Sequence, residues 1–322
     1  MEDFDLPPRL AKADYPLSPF AAEVNQHTRQ WLKRMGLETT SRHTHQRDIY
    51  NPGLYAAYMW ADAPLDKLSI LSNLLGWFSC IDDQADEDCQ SPQALEQLLR
   101  EVFMRAFTCA NTPHGPLASG LNDIVQHAAP LASPFWLERM GDQYASYIAP
   151  CVMALMHRTH HTQPGIEGFD NLWRNAGGFQ VCLEFTYWAQ DIYLPPALYY
   201  SKPWLELCQL ALNLLKAVND LLSFRILQNP DEDIYNLLTH LRHTQGYSAH
   251  RAAREVSHRI DQWADTFVKA QARLPERLAR YGYDERSVQQ AMICAQALHN
   301  QWRGNIAWHL AVPRYREIRF KG

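Results

Sequence analysis

Apolar residues recur every three or four positions along most of this chain, as at Leu65, Leu68, Leu71, Leu75 and Phe78, which places them on one face of a helix. Strict apolar-polar alternation, the mark of a half-buried strand, is scarce, and glycine is sparse at 14 residues. The pattern predicts an all-α fold. Breaks fall at Pro52-Gly53, Ser91-Pro92, Thr112 to Pro116, Ser133-Pro134, Pro164-Gly165, Pro195-Pro196, Pro230 and Tyr281 to Tyr283, cutting the chain into about ten to twelve segments of helical length. No linker is long enough to mark a boundary, so residues 1–322 are expected to form one domain, and there is no internal repeat.

Composition narrows the function. Of the 322 residues 47% are hydrophobic, which excludes a disordered chain and supports a sizeable core. The net charge of -5 comes without a Lys/Arg block, so neither a nucleic-acid groove nor a polybasic membrane anchor is indicated. The seven cysteines are scattered without a CxxC pair, as expected for reduced thiols in a cytosolic protein. The acidic, proline-interrupted start and the lack of an 18-residue apolar run point to a cytoplasmic protein without stable membrane anchoring. His157, His160 and His161 lack a matching second ligand group and read as a solvated loop rather than a metal site.

Two polar segments carry the candidate chemistry. An apolar helix through Trp77 and Phe78 runs into Asp82, Asp83, Asp86, Glu87 and Asp88; Asp82 and Asp86 share a face one turn apart. Two readings stand: a polar helix end entering solvent ahead of Ser91-Pro92, or an oxygen-only site for a hard divalent cation. Mg²⁺ is commonly held by one or two carboxylates together with substrate phosphate oxygens, so the second reading brings a diphosphate with it. Far downstream, Asn219 and Ser223 lie four residues apart in an otherwise apolar helix. They could ligate a second ion, or bond backbone carbonyls one turn back.

Together the segments resemble the signature pair of class I terpene synthases, an aspartate-rich DDxxD motif followed by an NDxxSxxxE triad, and 137 residues separate Asp82 from Asn219. The resemblance spans nearly the whole chain. Ser18-Pro19-Phe20 through Trp31 and Gly36, and Tyr55 to Trp77, look like that family's N-terminal region. Asn171 to Gly178 looks like the segment with a diphosphate-sensing arginine and a helix break, placing the sensor at Arg174 and the effector position at Gly178. Arg314-Tyr315 looks like the C-terminal Arg-Tyr pair.

The resemblance implies a helical bundle around a central cavity, and a Mg²⁺-dependent enzyme that ionises a prenyl diphosphate and cyclises the carbocation. The implied metal ligands are Asp82, Asp86, Asn219 and Ser223; the implied diphosphate contacts are Asp83, Arg174, Arg314 and Tyr315. Phe78 and Trp308 are the foremost candidates to line the cavity by cation-π interaction, with Trp77, Phe179 and Trp302 behind them. Gly178 would let a helix break turn backbone carbonyls toward the cation.

One position departs. The family's glutamate, eight residues after the asparagine, is here Leu227, which cannot ligate Mg²⁺. Of the three ions the family implies, one site is therefore in doubt, unless a bulge brings Gln228 or Asp231 into the vacant place. For a single-domain chain of this size, the resemblance to bacterial synthases most often implies farnesyl diphosphate as substrate; geranylgeranyl diphosphate, geranyl diphosphate or a modified prenyl diphosphate stay open, and homodimers are common among such resemblances. A chain-elongating prenyltransferase would carry a second aspartate-rich motif, which Asn219 to Ser223 is not. A non-catalytic, degenerate prenyl-diphosphate-binding protein is the alternative from another class.

Overall fold

A computed structural model describes residues 4–38, 45, 48–87, 91–107, 115–160, 162–226, 233 and 235–315; of 83–87, 105, 107, 166, 167 and 171 it describes the backbone alone. Among the described residues the regular structure is helical: α1 (Pro8–Ala11), α2 (Ala21–Arg34), α3 (Pro52–Met59), α4 (Leu65–Glu87), α5 (Pro92–Phe107), α6 (Pro116–Ala128), α7 (Pro134–His160), α8 (Ile166–Asn175), α9 (Phe179–Ala189), α10 (Pro196–Tyr199), α11 (Lys202–Phe224), α12 (Leu237–Gln245), α13 (Ala249–Arg280) and α14 (Glu285–Ala311). Twelve of these exceed a single turn, in line with the segment count the breaks predict.

The punctuation works as local chemistry dictates. Proline opens α3, α5, α6, α7 and α10, where its missing N–H has no partner to lose. Side chains of Asn51, Asn236, Ser248 and Asp284 accept from the first free N–H groups of α3, α12, α13 and α14. Pro150 and Pro275, by contrast, sit inside α7 and α13 without ending them. The loop expected from His157 begins later, because α7 runs on through His160 and His157 bonds the Thr162 hydroxyl beyond the helix end. Polar and basic side chains at a helix C-terminus satisfy its unpaired carbonyls and dipole as well as a loop would satisfy them.

Helices α11 and α9 are buried almost all round and form the centre. The amphipathic α13 covers α11 with Val256, Ile260, Ala264, Phe267, Leu274 and Leu278, and α14 flanks both. On the other side α3 joins α14 to α4, and α4 rests on α2 and α6. Gly304 permits the α14–α3 approach: a Cβ there would lie 2.1 Å from the Tyr58 carbonyl oxygen. No disulfide joins Cys80, Cys151, Cys182, Cys208 and Cys294; Cys89 and Cys109 lie outside the described residues. None of the described helices is long and apolar enough to cross a membrane.

Candidate active site

Helix α4 carries its last apolar side chains inward and then presents Asp82 outward. Phe78 is buried against Trp77, Tyr144 and Tyr147. One turn later Asp82 is exposed and accepts a 3.0 Å hydrogen bond from the Tyr147 hydroxyl of α7. Burial, followed by the Asp82 charge, pushes the Tyr147 phenol well above its ordinary range, so it stays a neutral donor. The side chains of Asp83 and Asp86 lie outside the described residues, as do Leu227, Gln228 and Asp231.

Helix α11 supplies the second half. Asn219 is half-buried, with its Nδ2 at 3.3 Å from His309 Nε2. The Ser223 hydroxyl reaches the Asp220 backbone oxygen only at 3.4 Å, a weak bond that leaves it open to another partner. Asp220, between them in sequence, turns the other way and is fully buried. It pairs with Lys216 and accepts from Trp173 Nε1 at 2.6 Å and the Leu237 N–H at 2.9 Å.

The turn after α14, Pro313–Tyr315, links the halves. Tyr315 is buried, 4.6 Å ring to ring from His309 and 5.5 Å from Trp308. Burial raises its hydroxyl pKa, the neighbouring Arg314 guanidinium lowers it, and Asp82 raises it again. The same Arg314 and Asp82 act on the Tyr50 hydroxyl, whose pKa burial drives well above the usual range. Asp82, Arg314, Tyr315, Tyr50, His309 and Asn219 are thus neighbours, although α4, α11 and α14 contribute from distant parts of the chain. Burial and then the Arg314 charge depress the His309 pKa to about 3, against a bond to the Asn305 carbonyl that raises it.

The aromatic candidates divide. Trp308 stacks on Tyr55 at 3.9 Å and donates to the Tyr50 carbonyl, beside Tyr315. Trp77 is tied to the Leu117 carbonyl under α6, and Trp302 packs on Phe267 and His299 between α13 and α14. Phe179 is buried at the start of α9. Gly178, at φ 70°, sits directly on Phe78: a Cβ there would come within 2.4 Å of the ring. With Gly177 at φ 81° it separates α8 from α9.

Arg174 stands apart from this cluster. Its Nε donates to Asn213 Oδ1 at 3.1 Å and its Nη2 pairs with Asp170 at 3.4 Å. Asn213 precedes Asn219 by six residues, so Arg174 meets α11 on a different face. An ion pair with so exposed a partner holds the guanidinium only weakly. Tyr147, Tyr50, Asn305 and His309 have no place in either motif; only the folded chain brings them to Asp82 and Asn219.

The oxygen donors suit a hard cation, with an exposed carboxylate at Asp82 and an amide oxygen and a hydroxyl at Asn219 and Ser223. His, Cys, Asp and Glu side chains alone form no cluster of three among the described residues.

Residues 73–266 match the family model "Terpene synthase family 2, C-terminal metal binding". The chain is 27% identical over 308 residues to pristinol synthase of Streptomyces pristinaespiralis, covering 94% of this chain and 82% of that protein. It is 28% identical over 218 residues to a Roseiflexus castenholzii protein named (+)-T-muurolol synthase ((2E,6E)-farnesyl diphosphate cyclizing), covering 65% of this chain and 64% of that one. The crystal structure of germacradien-4-ol synthase from Streptomyces citricolor superposes with a TM-score of 0.81 at 18% identity, over 96% of this chain and 99% of that one. The family match covers more than half of the chain and both polar segments of the site, so the chain belongs to the terpene synthase family and is a class I, bacterial-type terpene cyclase.

Proposed function

We propose that the chain ionises farnesyl diphosphate with Mg²⁺ and cyclises the resulting cation to a sesquiterpene, releasing diphosphate. The observation that carries this reading is the Arg314-Tyr315 turn, whose Tyr315 ring packs on His309, the partner of Asn219, and whose hydroxyl also feels the Asp82 charge, so that anion-binding and cation-binding groups meet beside buried aromatic rings. Bound Mg²⁺ would be held by Asp82 and Asp86 on one side and Asn219 and Ser223 on the other, neutralising the diphosphate charge as it grows. Of the three ions proposed, the one held by Asn219 and Ser223 has Leu227 in place of the family's third ligand, unless Gln228 or Asp231 takes that position.

The chain's own groups follow from their chemistry. Arg314 offers paired N–H donors to phosphate oxygens, and Tyr315, held neutral, adds a hydroxyl donor. Asp83 and Arg174 complete the proposed diphosphate contacts; for Arg174 this requires release from Asp170 and Asn213. The bond from the allylic carbon to oxygen breaks with its electron pair leaving on the diphosphate. The faces of Phe78 and Trp308 stabilise the cation that remains, and the buried surroundings exclude water that would quench it early. A distal double bond then closes the ring. Proton loss gives a hydrocarbon, and capture of water gives an alcohol.

The relative named as cyclising farnesyl diphosphate supports the fifteen-carbon substrate. The test is incubation of purified protein with Mg²⁺ and geranyl, farnesyl or geranylgeranyl diphosphate separately, with extracts analysed by gas chromatography and mass spectrometry. A cyclic sesquiterpene from the farnesyl substrate, lost in Asp82→Ala with helicity retained, is expected. A product from geranylgeranyl diphosphate alone would move the substrate to twenty carbons, and diphosphate retained on every substrate would overturn the reading.

A further inference from the structure

An asparagine that ligates a hard cation must present its oxygen, yet the two branches of its amide are nearly identical in shape. What decides between them at Asn219 is the neighbour on α14. His309 is 2% exposed, enclosed by Tyr55, Trp308 and Tyr315, and no carboxylate pairs with it among the described residues. Its Nδ1 lies 2.7 Å from the Asn305 backbone oxygen, which can only accept, so Nδ1 carries the ring proton. In a neutral imidazole Nε2 is then an acceptor, and its 3.3 Å contact with Asn219 is satisfied only by the NH₂ branch. The oxygen branch is thereby turned away, with no donor among the described residues.

The frame around this contact is rigid. Asn305 also donates from Nδ2 to the Leu215 carbonyl at 3.2 Å and accepts from the Tyr55 hydroxyl at 2.5 Å. Helix α14 therefore grips α11 at Leu215 and again at Asn219, one helical turn apart, which sets the register between them. We propose that His309 is a positioning residue for the metal site: through the tautomer imposed by the Asn305 carbonyl, it fixes the Asn219 amide with Oδ1 facing the ion. The inference rests on the reading of Asn219 as a metal ligand.

The experiment measures Mn²⁺ binding to the full chain in the presence of inorganic pyrophosphate, by electron paramagnetic resonance of free Mn²⁺. Asn219→Ala, His309→Phe, His309→Gln and the Asn219→Ala/His309→Phe double variant are compared, with folding checked by circular dichroism. His309→Phe is expected to weaken binding about tenfold or more, the usual effect of losing a group that orients a ligand. The double variant should bind no worse than Asn219→Ala, and His309→Gln, whose amide oxygen can accept the same N–H, should recover most of the loss. Weak binding in Asn219→Ala with normal binding in His309→Phe would overturn the positioning role while leaving the ligand in place; so would additive losses in the double variant. Normal binding in Asn219→Ala would remove the ligand and the inference with it. If His309→Phe does not fold, nitrogen-15 spectra of the wild type, assigned through His309→Gln, decide: a proton on Nε2 instead of Nδ1 overturns the proposal.

Discussion

Asp220 lies between two candidate metal ligands, yet the structure makes it a folding residue, and its removal separates the two roles. The side chain is fully buried, ion-paired to Lys216, and accepts from Trp173 on α8 and from the Leu237 N–H at the start of α12. Lys216 is itself only 6% exposed and otherwise donates to the Tyr235 carbonyl at 2.9 Å. Burial alone raises the Asp220 pKa, and Lys216, Trp173 and the Leu237 amide each pull it back. Asp220→Ala strands a buried ammonium, which costs about 3–5 kcal/mol. The two orphaned N–H donors would each add about 1–3 kcal/mol if they acted independently, but members of one network do not add fully. We expect a loss of about 3–5 kcal/mol in urea unfolding followed by circular dichroism, read as a lower midpoint at unchanged slope. Asp220→Ala/Lys216→Met, which removes the stranded charge, should be at least about 1 kcal/mol more stable than the single variant. A stability loss below about 1 kcal/mol, accompanied by a raised Mg²⁺ requirement, would refute this reasoning and make Asp220 part of the metal site.

Gly178→Ala forces a left-handed residue to carry a Cβ, at about 1 kcal/mol, and drives that Cβ against the Phe78 ring, so we expect a loss of about 2–3 kcal/mol and an altered product distribution. Wild-type melting and an unchanged product profile would count against that contact. Burial, with a smaller push from Arg303, lowers the His299 pKa to about 4, whereas the unfolded chain protonates near 6.5. The unfolded state therefore binds more protons below pH 6.5, and stability falls as pH drops from there toward 4. At pH 5 the full linkage is about 2 kcal/mol, reduced to about 1 kcal/mol because the ring is part-exposed. His299→Gln should flatten the pH 7 to pH 5 difference by that amount, and an equal slope in both proteins would refute it.

How much could be read without the fold follows from which interactions are local. Helix type and most boundaries are local matters, since a three-and-four apolar spacing and a proline or capping residue act within one or two turns. The breaks at Pro52, Pro92, Pro116, Pro134 and Pro196 thus mark real helix starts. Pro150 and Pro275 show the limit, since tertiary packing keeps a helix running where local preference would end it. The motif residues Asp82, Asn219, Ser223, Arg314 and Tyr315 were legible because their spacing repeats a family pattern.

Their surroundings were not legible. Nothing near Asp82 in sequence points to Tyr147, 65 positions away, and nothing near Asn219 points to His309, 90 positions away. Adjacent Asn219 and Asp220 face different ways because successive helical residues are turned by about 100°, and only the packing of α11 decides which side is core. The same packing sends Trp77 and Trp302 into the core, keeps Trp308 beside Tyr315, and sets Arg174 against Asn213. The sequence by itself determined the helices and the chemical groups available to the site. Partners, burial and protonation depend on segments far apart along the chain, so those were decided only when the helices packed together.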